Sequence, residues 1–280
     1  PRASHLRVVP DEDELDPILR QRDPAFIRRI YPTLAAISDH YYRAEVEGVE
    51  NMSDRASLVI STHNGSYFMP DMLALQVAFW RRFGMETRAY GMGHKAAMGL
   101  PIARDIVPKL GAIYASPENA QTVLESDAPL LICPGGDRDA LKPFSQRHKI
   151  QFGKRMGFIR TAIKHQVPIT PVVSVGAHEV FFGLSQGKLL ARLMGFDKLF
   201  RIKAVPLILG FPLGITPAGI FQLPLPSKVK VKVLEPIHFD DAPEAADDAE
   251  IVERRFNQVV STMQAALDRM AAKRRWPILG

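Results

Sequence analysis

The stretch from Leu58 to Asp71, LVISTHNGSYFMPD, places a strand, a sharp turn and a helix start directly after one another. Its first four residues are apolar or small, as in a short buried strand. The following Asn64-Gly65-Ser66 has turn chemistry, because Asn and Gly tolerate a left-handed backbone. Pro70 suits the first turn of a helix, and Asp71 suits its positive end. His63 is therefore predicted at the tip of a strand, where an open α/β sheet presents a general base to a ligand.

The spacing of His63 and Asp71 leaves two interpretations open, because a His and a carboxylate eight residues apart form a weak motif. In the first, Asp71 orients the imidazole of a general base. In the second, His63 is an ordinary loop histidine and Asp71 only begins a helix. A fully helical span of this length would separate the two by about 12 Å, so the turn must fold back if they are to meet.

Further short apolar segments alternate with helices, which indicates an α/β sheet with a substantial parallel part. They are predicted as strands over Thr87–Gly91, Ala112–Ala115, Pro129–Cys133 and Val167–Val175. Lys228–Leu234 alternates Lys and Val, which predicts a half-buried edge strand with lysines along its edge. We expect an N-terminal helical segment at 1–45, an α/β domain at 46–240, and an acidic linker with an amphipathic helix at 241–280.

The composition favours an anionic partner, because the 280 residues carry a net charge of +6 and the pI is about 9.5. Nucleic acid is not expected, since the basic residues are not interleaved with stacking aromatics. The single Cys133 excludes an intrachain disulfide and fits a reducing compartment. We find no ligand cluster with metal spacing and expect no metal. Residues 1–24 lack the apolar region of a secretory signal, and no apolar run predicts a spanning helix.

Two segments have apolar surface suited to a membrane or to internal packing. Phe26–Ile37 has apolar residues at helical spacing, and Val205–Leu225 is apolar but interrupted by Pro and Gly. Four basic residues precede the second segment, namely Arg192, Lys198, Arg201 and Lys203. Each segment either packs on its own domain or lies on lipid.

Four segments, in this order, resemble the conserved blocks of the glycerolipid acyltransferase superfamily, the PlsC-like lysophospholipid acyltransferases and their relatives. They are His63–Asp71, Gly111–Asn119, Cys133–Asp139 and Val167–Val173, and the fourth is the closest match. Two departures distinguish this chain: Phe68 stands where the family usually has its Asp, and Gly135 stands where it has Glu. A Pro-Gly-Gly followed by an acidic residue is similar to the branch that contains type-two diacylglycerol acyltransferases.

The resemblance implies an α/β fold with a mostly parallel central sheet flanked by helices. It implies transfer of a fatty acyl chain from an acyl thioester, either acyl-CoA or acyl-ACP, to a hydroxyl of a glycerolipid or lysophospholipid. His63 would be the general base and Asp71 its orienting carboxylate. The thioester is a co-substrate, so no cofactor is expected. Candidate substrate-binding residues lie in or near the same blocks: Gly65, Ser66, Pro134, Gly135, Gly136, Arg138, Asp139, Arg155 and Glu179.

Several of these candidates have a second interpretation. The glycines after Pro134 would expose backbone N–H groups to a ligand. Arg138 would bind a phosphate or glycerol oxygen, or pair with a neighbouring Asp, and Glu179 would line the site or be structural. Without a spanning helix, the enzyme is expected on the cytoplasmic face of an anionic membrane, attached peripherally; the sequence does not indicate its oligomeric state. The alternatives are a lipid hydrolase, for which the G-x-S-x-G elbow is missing, and a non-catalytic lipid-binding relative.

Overall fold

The computed structural model describes residues 15–65, 68–94, 98–99, 103–140, 142–185, 207–210, 212–217 and 222–280. Strands in this part of the chain form two sheets. In chain order they are β1 (Glu45–Glu47), β2 (Ser57–Ser61), β3 (Tyr90–Gly93), β4 (Ala112–Tyr114), β5 (Pro129–Ile132), β6 (Ile169–Val175), β7 (Phe182–Ser185), β8 (Leu207–Gly210), β9 (Gly214–Pro217) and β10 (Lys230–Val233). Strands β7, β8 and β9 form a small antiparallel sheet, and the other seven form the central sheet.

Seven α-helices lie in the described residues, and some of them begin at a polar capping residue. They are α1 (Pro24–Ala36), α2 (Pro70–Phe83), α3 (Ala103–Ile106), α4 (Pro117–Glu125), α5 (Gly136–Ala140), α6 (Gly157–His165) and α7 (Ala249–Ala272). The Asp23 side chain accepts a hydrogen bond from the Phe26 N–H at the start of α1, and Ser116 accepts one from the Asn119 N–H at the start of α4. Both helices combine a polar N-cap with Pro at the first helical position.

The central sheet has the order β1-β10-β6-β2-β5-β3-β4. Strand β2 pairs in parallel with β5 on one side and with β6 on the other. The carboxyl ends of these three neighbours therefore lie at one edge, where ligands bind in open α/β sheets. The predicted α/β class with a mostly parallel sheet is confirmed.

Strand β10 corrects the edge-strand prediction. It lies inside the sheet, antiparallel to β6 and parallel to β1, and β1 forms the edge. Its valines are buried, while the ammonium groups of Lys230 and Lys232 lie 3.1 and 3.5 Å from carboxylate oxygens of Glu45 and Glu47 on β1. The lysines therefore alternate because one face of the sheet is exposed, not because the strand is an edge.

Helices cover both faces of the sheet. Leu58 and Ile60 of β2 belong to the core that α4, α6 and α7 complete on one face. On the other face, α2 covers the sheet and α1 packs on α2, with Ile27 and Trp80 in one cluster. The apolar stripe of α1 thus packs mainly on its own domain. Among the helices of the described residues, none has the length and apolar character needed to cross a bilayer.

Candidate active site

His63 lies two residues after the end of β2, half-buried at the edge where three parallel strands end. Its Nδ1 atom is enclosed and has no hydrogen-bond partner among the described residues. Burial lowers the pKa of His63, the negative charge of Asp139 opposes this, and the positive charge of Lys142 adds to it. The imidazole is therefore neutral near pH 7, the state in which a histidine can accept a proton.

Asp71 lies in the first turn of α2, and its side chain is fully buried. Its carboxylate accepts hydrogen bonds from Asn64 Nδ2 at 2.9 Å, from Ser174 Oγ at 2.6 Å and from the Met72 N–H at 3.1 Å. Within the described residues, no hydrogen bond joins this carboxylate to the imidazole of His63. The expectation that Asp71 orients the ring is therefore corrected. The turn after β2 does fold back, but it brings Asn64 onto the carboxylate instead of His63.

The carboxylate that contacts the His63 backbone belongs to Asp139, which the sequence predicted as a substrate-binding residue. Its Oδ2 accepts a hydrogen bond from the His63 backbone N–H at 3.3 Å, and its Oδ1 accepts one from Lys142 Nζ at 3.0 Å. Both side chains are completely buried. Lys142 also donates to the Lys149 carbonyl at 3.0 Å. The sequence shows Lys142 only as a member of a basic run, and its one distinguishing signal is the spacing of three from Asp139.

His178 connects the loop after β6 to the same group, and sequence reasoning gave it no role. Its Nε2 lies 2.7 Å from the Lys142 carbonyl oxygen, and because a carbonyl only accepts, Nε2 carries the proton. Burial and the nearby Lys142 charge lower the pKa of His178 to about 4. Side chains and backbone from the loops after β2, β5 and β6 therefore form one buried network.

The Pro-Gly-Gly segment is packed too closely to leave all its backbone groups open. A Cβ atom on Gly135 would lie 2.5 Å from the Asp139 Cβ, and one on Gly136 would lie 2.6 Å from Arg155 Nη1. The same guanidinium nitrogen donates to the carbonyls of Pro134 and Gly135 at 3.2 and 2.8 Å, and the Gly136 N–H donates to the Cys133 carbonyl. Arg155 thus holds the loop, and the expectation that both glycine N–H groups face a ligand fails for Gly136.

The remaining candidates around His63 divide into packed and exposed residues. Gly65 has a φ of +71°, and a Cβ there would lie 2.6 Å from Pro70 Cδ, so this position needs glycine for the turn itself. Ser66 lies outside the described residues. Arg138 is exposed beside Gly153 at the mouth of the loop. Its predicted alternative as an ion-pair partner of Asp139 does not hold, because Asp139 pairs with Lys142.

Glu179 is a structural ion-pair partner, which corrects its assignment to substrate binding. Its carboxylate is buried and accepts hydrogen bonds from Arg274 Nε at 2.9 Å and Arg274 Nη2 at 2.6 Å. It also accepts one from the Ile278 N–H at 2.8 Å. This bidentate contact ties the C-terminal segment to the loop after β6 and occupies both carboxylate oxygens.

Cys133 is not suited to act as a nucleophile. Burial raises the pKa of its thiol, and the negative charges of Asp71 and Asp139 raise it further. A thiolate is therefore disfavoured at this position.

The α/β fold that carries this strand-edge site has a counterpart among solved structures. The crystal structure of the 1-acyl-sn-glycerophosphate acyltransferase PlsC from Thermotoga maritima matches the fold with a TM-score of 0.52 and 17% sequence identity. The match covers 92% of this chain and 96% of that chain. At this identity the likeness concerns the fold alone.

Sequence comparison gives the family. The profile of the diacylglycerol acyltransferase family matches residues 82–268, and the chain belongs to that family. The protein is thus an acyltransferase that acts on glycerolipids. An uncharacterized protein of Mycobacterium tuberculosis is 33% identical over 257 residues, which are 90% of this chain and 69% of that protein. Diacylglycerol O-acyltransferase 2 of Dictyostelium discoideum is 27% identical over 180 residues, 61% of this chain and 52% of its own length.

Proposed function

We propose that this protein transfers a fatty acyl chain from an acyl thioester to a free hydroxyl of a neutral glycerolipid, with His63 as the general base. The observation that carries the proposal is the position of a neutral His63 at the tip of the central parallel strand, with the Asp139 carboxylate against its backbone. Membership of the diacylglycerol acyltransferase family and the name of the Dictyostelium relative favour diacylglycerol as the acceptor.

The proposed chemistry is a direct transfer. Because Nδ1 of His63 is enclosed, Nε2 is the nitrogen that takes the proton of the acceptor hydroxyl. The hydroxyl oxygen attacks the thioester carbonyl carbon, the carbon–sulfur bond breaks, and the thiol leaves with the proton from the imidazolium. The products are a new ester and a free thiol. The charge of Asp139 favours the imidazolium while it exists.

Arg138 is the proposed contact for a polar part of a substrate. It is exposed at the loop after β5, and Lys142 instead of Arg138 neutralises Asp139. A guanidinium binds phosphate or glycerol oxygens with several parallel donors. The acyl donor, coenzyme A or an acyl carrier protein, brings such a phosphate.

Peripheral attachment to the cytoplasmic face of an anionic membrane is the proposed route to the lipid. Exposed apolar side chains lie in the first segment at Ile37, just after it at Tyr41, and in the second segment at Leu213, Ile215 and Leu223. The Tyr41 hydroxyl donates to the Pro224 carbonyl at 2.5 Å, which joins the end of the first segment to the second. An apolar surface forms there which a lipid interface would cover.

Vesicle binding tests the attachment. Leu213 and Ile215 are 57% and 63% exposed, so changing both to Ser should leave the fold intact while weakening binding to anionic vesicles. Tyr114→Ser is a control, because Tyr114 is 41% exposed on β4, an edge strand of the central sheet that lies outside both apolar segments. Equal binding by the wild type and the Leu213/Ile215 variant would show that this surface does not attach the protein to the membrane.

An acceptor panel tests the activity. Purified protein receives a long-chain acyl-CoA together with diacylglycerol, monoacylglycerol or a lysophospholipid, and both ester formation and thiol release are measured. We expect acceptor-dependent thiol release and ester formation, with diacylglycerol as the preferred acceptor. Thiol release that does not depend on an acceptor would indicate a hydrolase, and no turnover with any acceptor would contradict the proposal.

A further inference from the structure

A cavity lined mostly by residues that have no part in the chemistry described above lies between β10, the end of β6 and the last turns of α7. Its volume is about 330 Å³, in the lower part of the range of about 300–1,000 Å³ for small-molecule sites. Five of its ten lining residues are cationic and one, Glu47, is acidic. The cations are Lys230, Lys232, Arg269, Lys273 and Arg274.

The carboxylates around the cavity do not neutralise all of this charge. Lys230 and Lys232 have Glu45 and Glu47 within 3.5 Å, and Arg274 has Glu179. Arg269 and Lys273 are exposed and have no acidic partner within 4 Å among the described residues. Both lie near the C-terminus of α7, where a basic residue also stabilises the helix dipole. The five lining cations face three carboxylates, those of Glu45, Glu47 and Glu179, so the cavity keeps a positive charge that a bound anion would balance.

Arg274 adds a buried donor to this surface. Its side chain is only 4% exposed, and its Nη1 atom has no hydrogen-bond partner in the described part of the chain. Two of its other nitrogens hold Glu179, which fixes the plane of the guanidinium. A buried donor without an acceptor is costly, and a bound anion beside the same guanidinium lowers that cost.

The cavity also lies close to the catalytic edge of the sheet. Glu179, which Arg274 holds, directly follows His178, and His178 lies near enough to His63 for their charges to interact. Val175, the last residue of β6, lines the cavity. A ligand there would lie next to the end of β6, the strand that the 177–179 turn follows.

We propose that this basic cavity binds a phosphate-bearing ligand. A phosphate offers the negative charge and the several acceptor oxygens that the three lysines, the fixed guanidinium of Arg274 and the exposed Arg269 can contact together. Its source is either the nucleotide end of coenzyme A or the headgroup of an anionic lipid, since both carry the same group. The site itself does not depend on the proposed acyl transfer.

Binding measurements on the intact chain test the site. The probes are inorganic pyrophosphate, coenzyme A, and phosphatidylcholine vesicles with and without phosphatidic acid. The cavity variant carries Arg269→Glu and Lys273→Glu, both at exposed positions that tolerate substitution. The control carries Lys164→Glu and Arg254→Glu, which change the net charge equally at exposed positions outside the cavity.

We expect saturable, salt-sensitive binding of at least one probe by the wild type, weakened about tenfold or more in the cavity variant and unchanged in the control. Preference for coenzyme A assigns the site to the thioester donor, preference for phosphatidic acid vesicles assigns it to a lipid headgroup, and pyrophosphate alone assigns it to free phosphate. Absence of saturable binding, or equal weakening in both double variants, would overturn the proposal. This experiment measures binding and not turnover. Its failure would therefore not contradict the proposed acyl transfer, which the acceptor panel tests separately.

Discussion

The carboxylate of Asp139 accepts a hydrogen bond from the backbone N–H of His63 at 3.3 Å, and its other oxygen holds the ammonium group of Lys142 at 3.0 Å. One buried acidic side chain from the loop after β5 thereby fixes the tip of β2. The contact reaches the main chain of His63 and does not involve the ring. Asp139 influences the imidazole through its charge.

Replacement of Asp139 by Asn should change the pH dependence of catalysis. The Asp139 charge raises the pKa of His63, so its loss lowers that pKa, and the acid limb of the kcat/KM profile shifts to lower pH. The change also leaves Lys142 charged and unpaired, at a cost of about 3–5 kcal/mol in the free energy of unfolding. A pH–rate profile and a denaturant titration measure the two effects.

The double variant Asp139→Asn with Lys142→Met is the control for folding. It removes the unpaired charge together with its partner and should recover most of the lost stability. An acid limb that stays in place in a folded Asp139→Asn protein would show that the Asp139 charge does not reach the imidazole.

Asp71→Asn tests whether Asp71 positions the turn after β2 or orients the imidazole ring of His63. The carboxylate binds Asn64, Ser174 and the Met72 N–H, so an amide there leaves a buried donor unpaired, at a cost of about 1–3 kcal/mol in the free energy of unfolding. We expect turnover per folded molecule to fall by less than about tenfold, against the 10⁴ or so lost when an orienting carboxylate is removed. A loss near that larger figure in well-folded protein would restore Asp71 as the partner of His63.

Gly135→Ala tests the close packing of the loop after β5. The added Cβ would lie within 2.7 Å of the Asp139 side chain, which is buried and held on both oxygens, so Asp139 must move. We expect loss of both stability and turnover. Gly157→Ala is the matched control, because nothing lies within 4 Å of a Cβ there. If both variants behave like the wild type, the segment after β5 tolerates a displaced Asp139, and the buried network is needed neither for stability nor for turnover.

Buried His178 should make the fold sensitive to acid. Its pKa is about 4 in the folded protein and about 6.5 in the unfolded chain, so the unfolded chain binds more protons between these values. Stability should therefore fall as the pH drops from about 6.5 to about 4, by up to about 3 kcal/mol from this residue. His178→Gln keeps a donor for the Lys142 carbonyl without titrating, and its stability should fall less steeply in denaturant titrations. Equal slopes would show that His178 is not buried as neutral imidazole.

Local sequence signals predicted the framework of this fold well. The strand–turn–helix around His63 was recognisable because it is decided by neighbours within a few residues. The parallel arrangement followed from the alternation of strands and helices, and so did the edge at which His63 would lie.

The contacts that complete the site depend on the tertiary fold and were not predictable in the same way. Which of His63 and Asn64 meets Asp71 depends on the direction of each side chain after the turn. Lys142 looks like a solvated basic residue until the fold buries it against Asp139, and His178 acquires its partner only through the folded loop. Strand β10 was misplaced because an exposed sheet face and a sheet edge give the same Lys–Val alternation.

The turnover number of His63→Ala, measured with a long-chain acyl-CoA and diacylglycerol, shows whether His63 is the general base. A positioned general base contributes about 10²–10⁴-fold, so we predict a loss of at least about 10² in a variant whose unfolding transition matches the wild type. His238→Ala, at an exposed histidine away from the network, should retain full activity. An unchanged turnover number in well-folded His63→Ala would contradict the account and remove His63 from the mechanism.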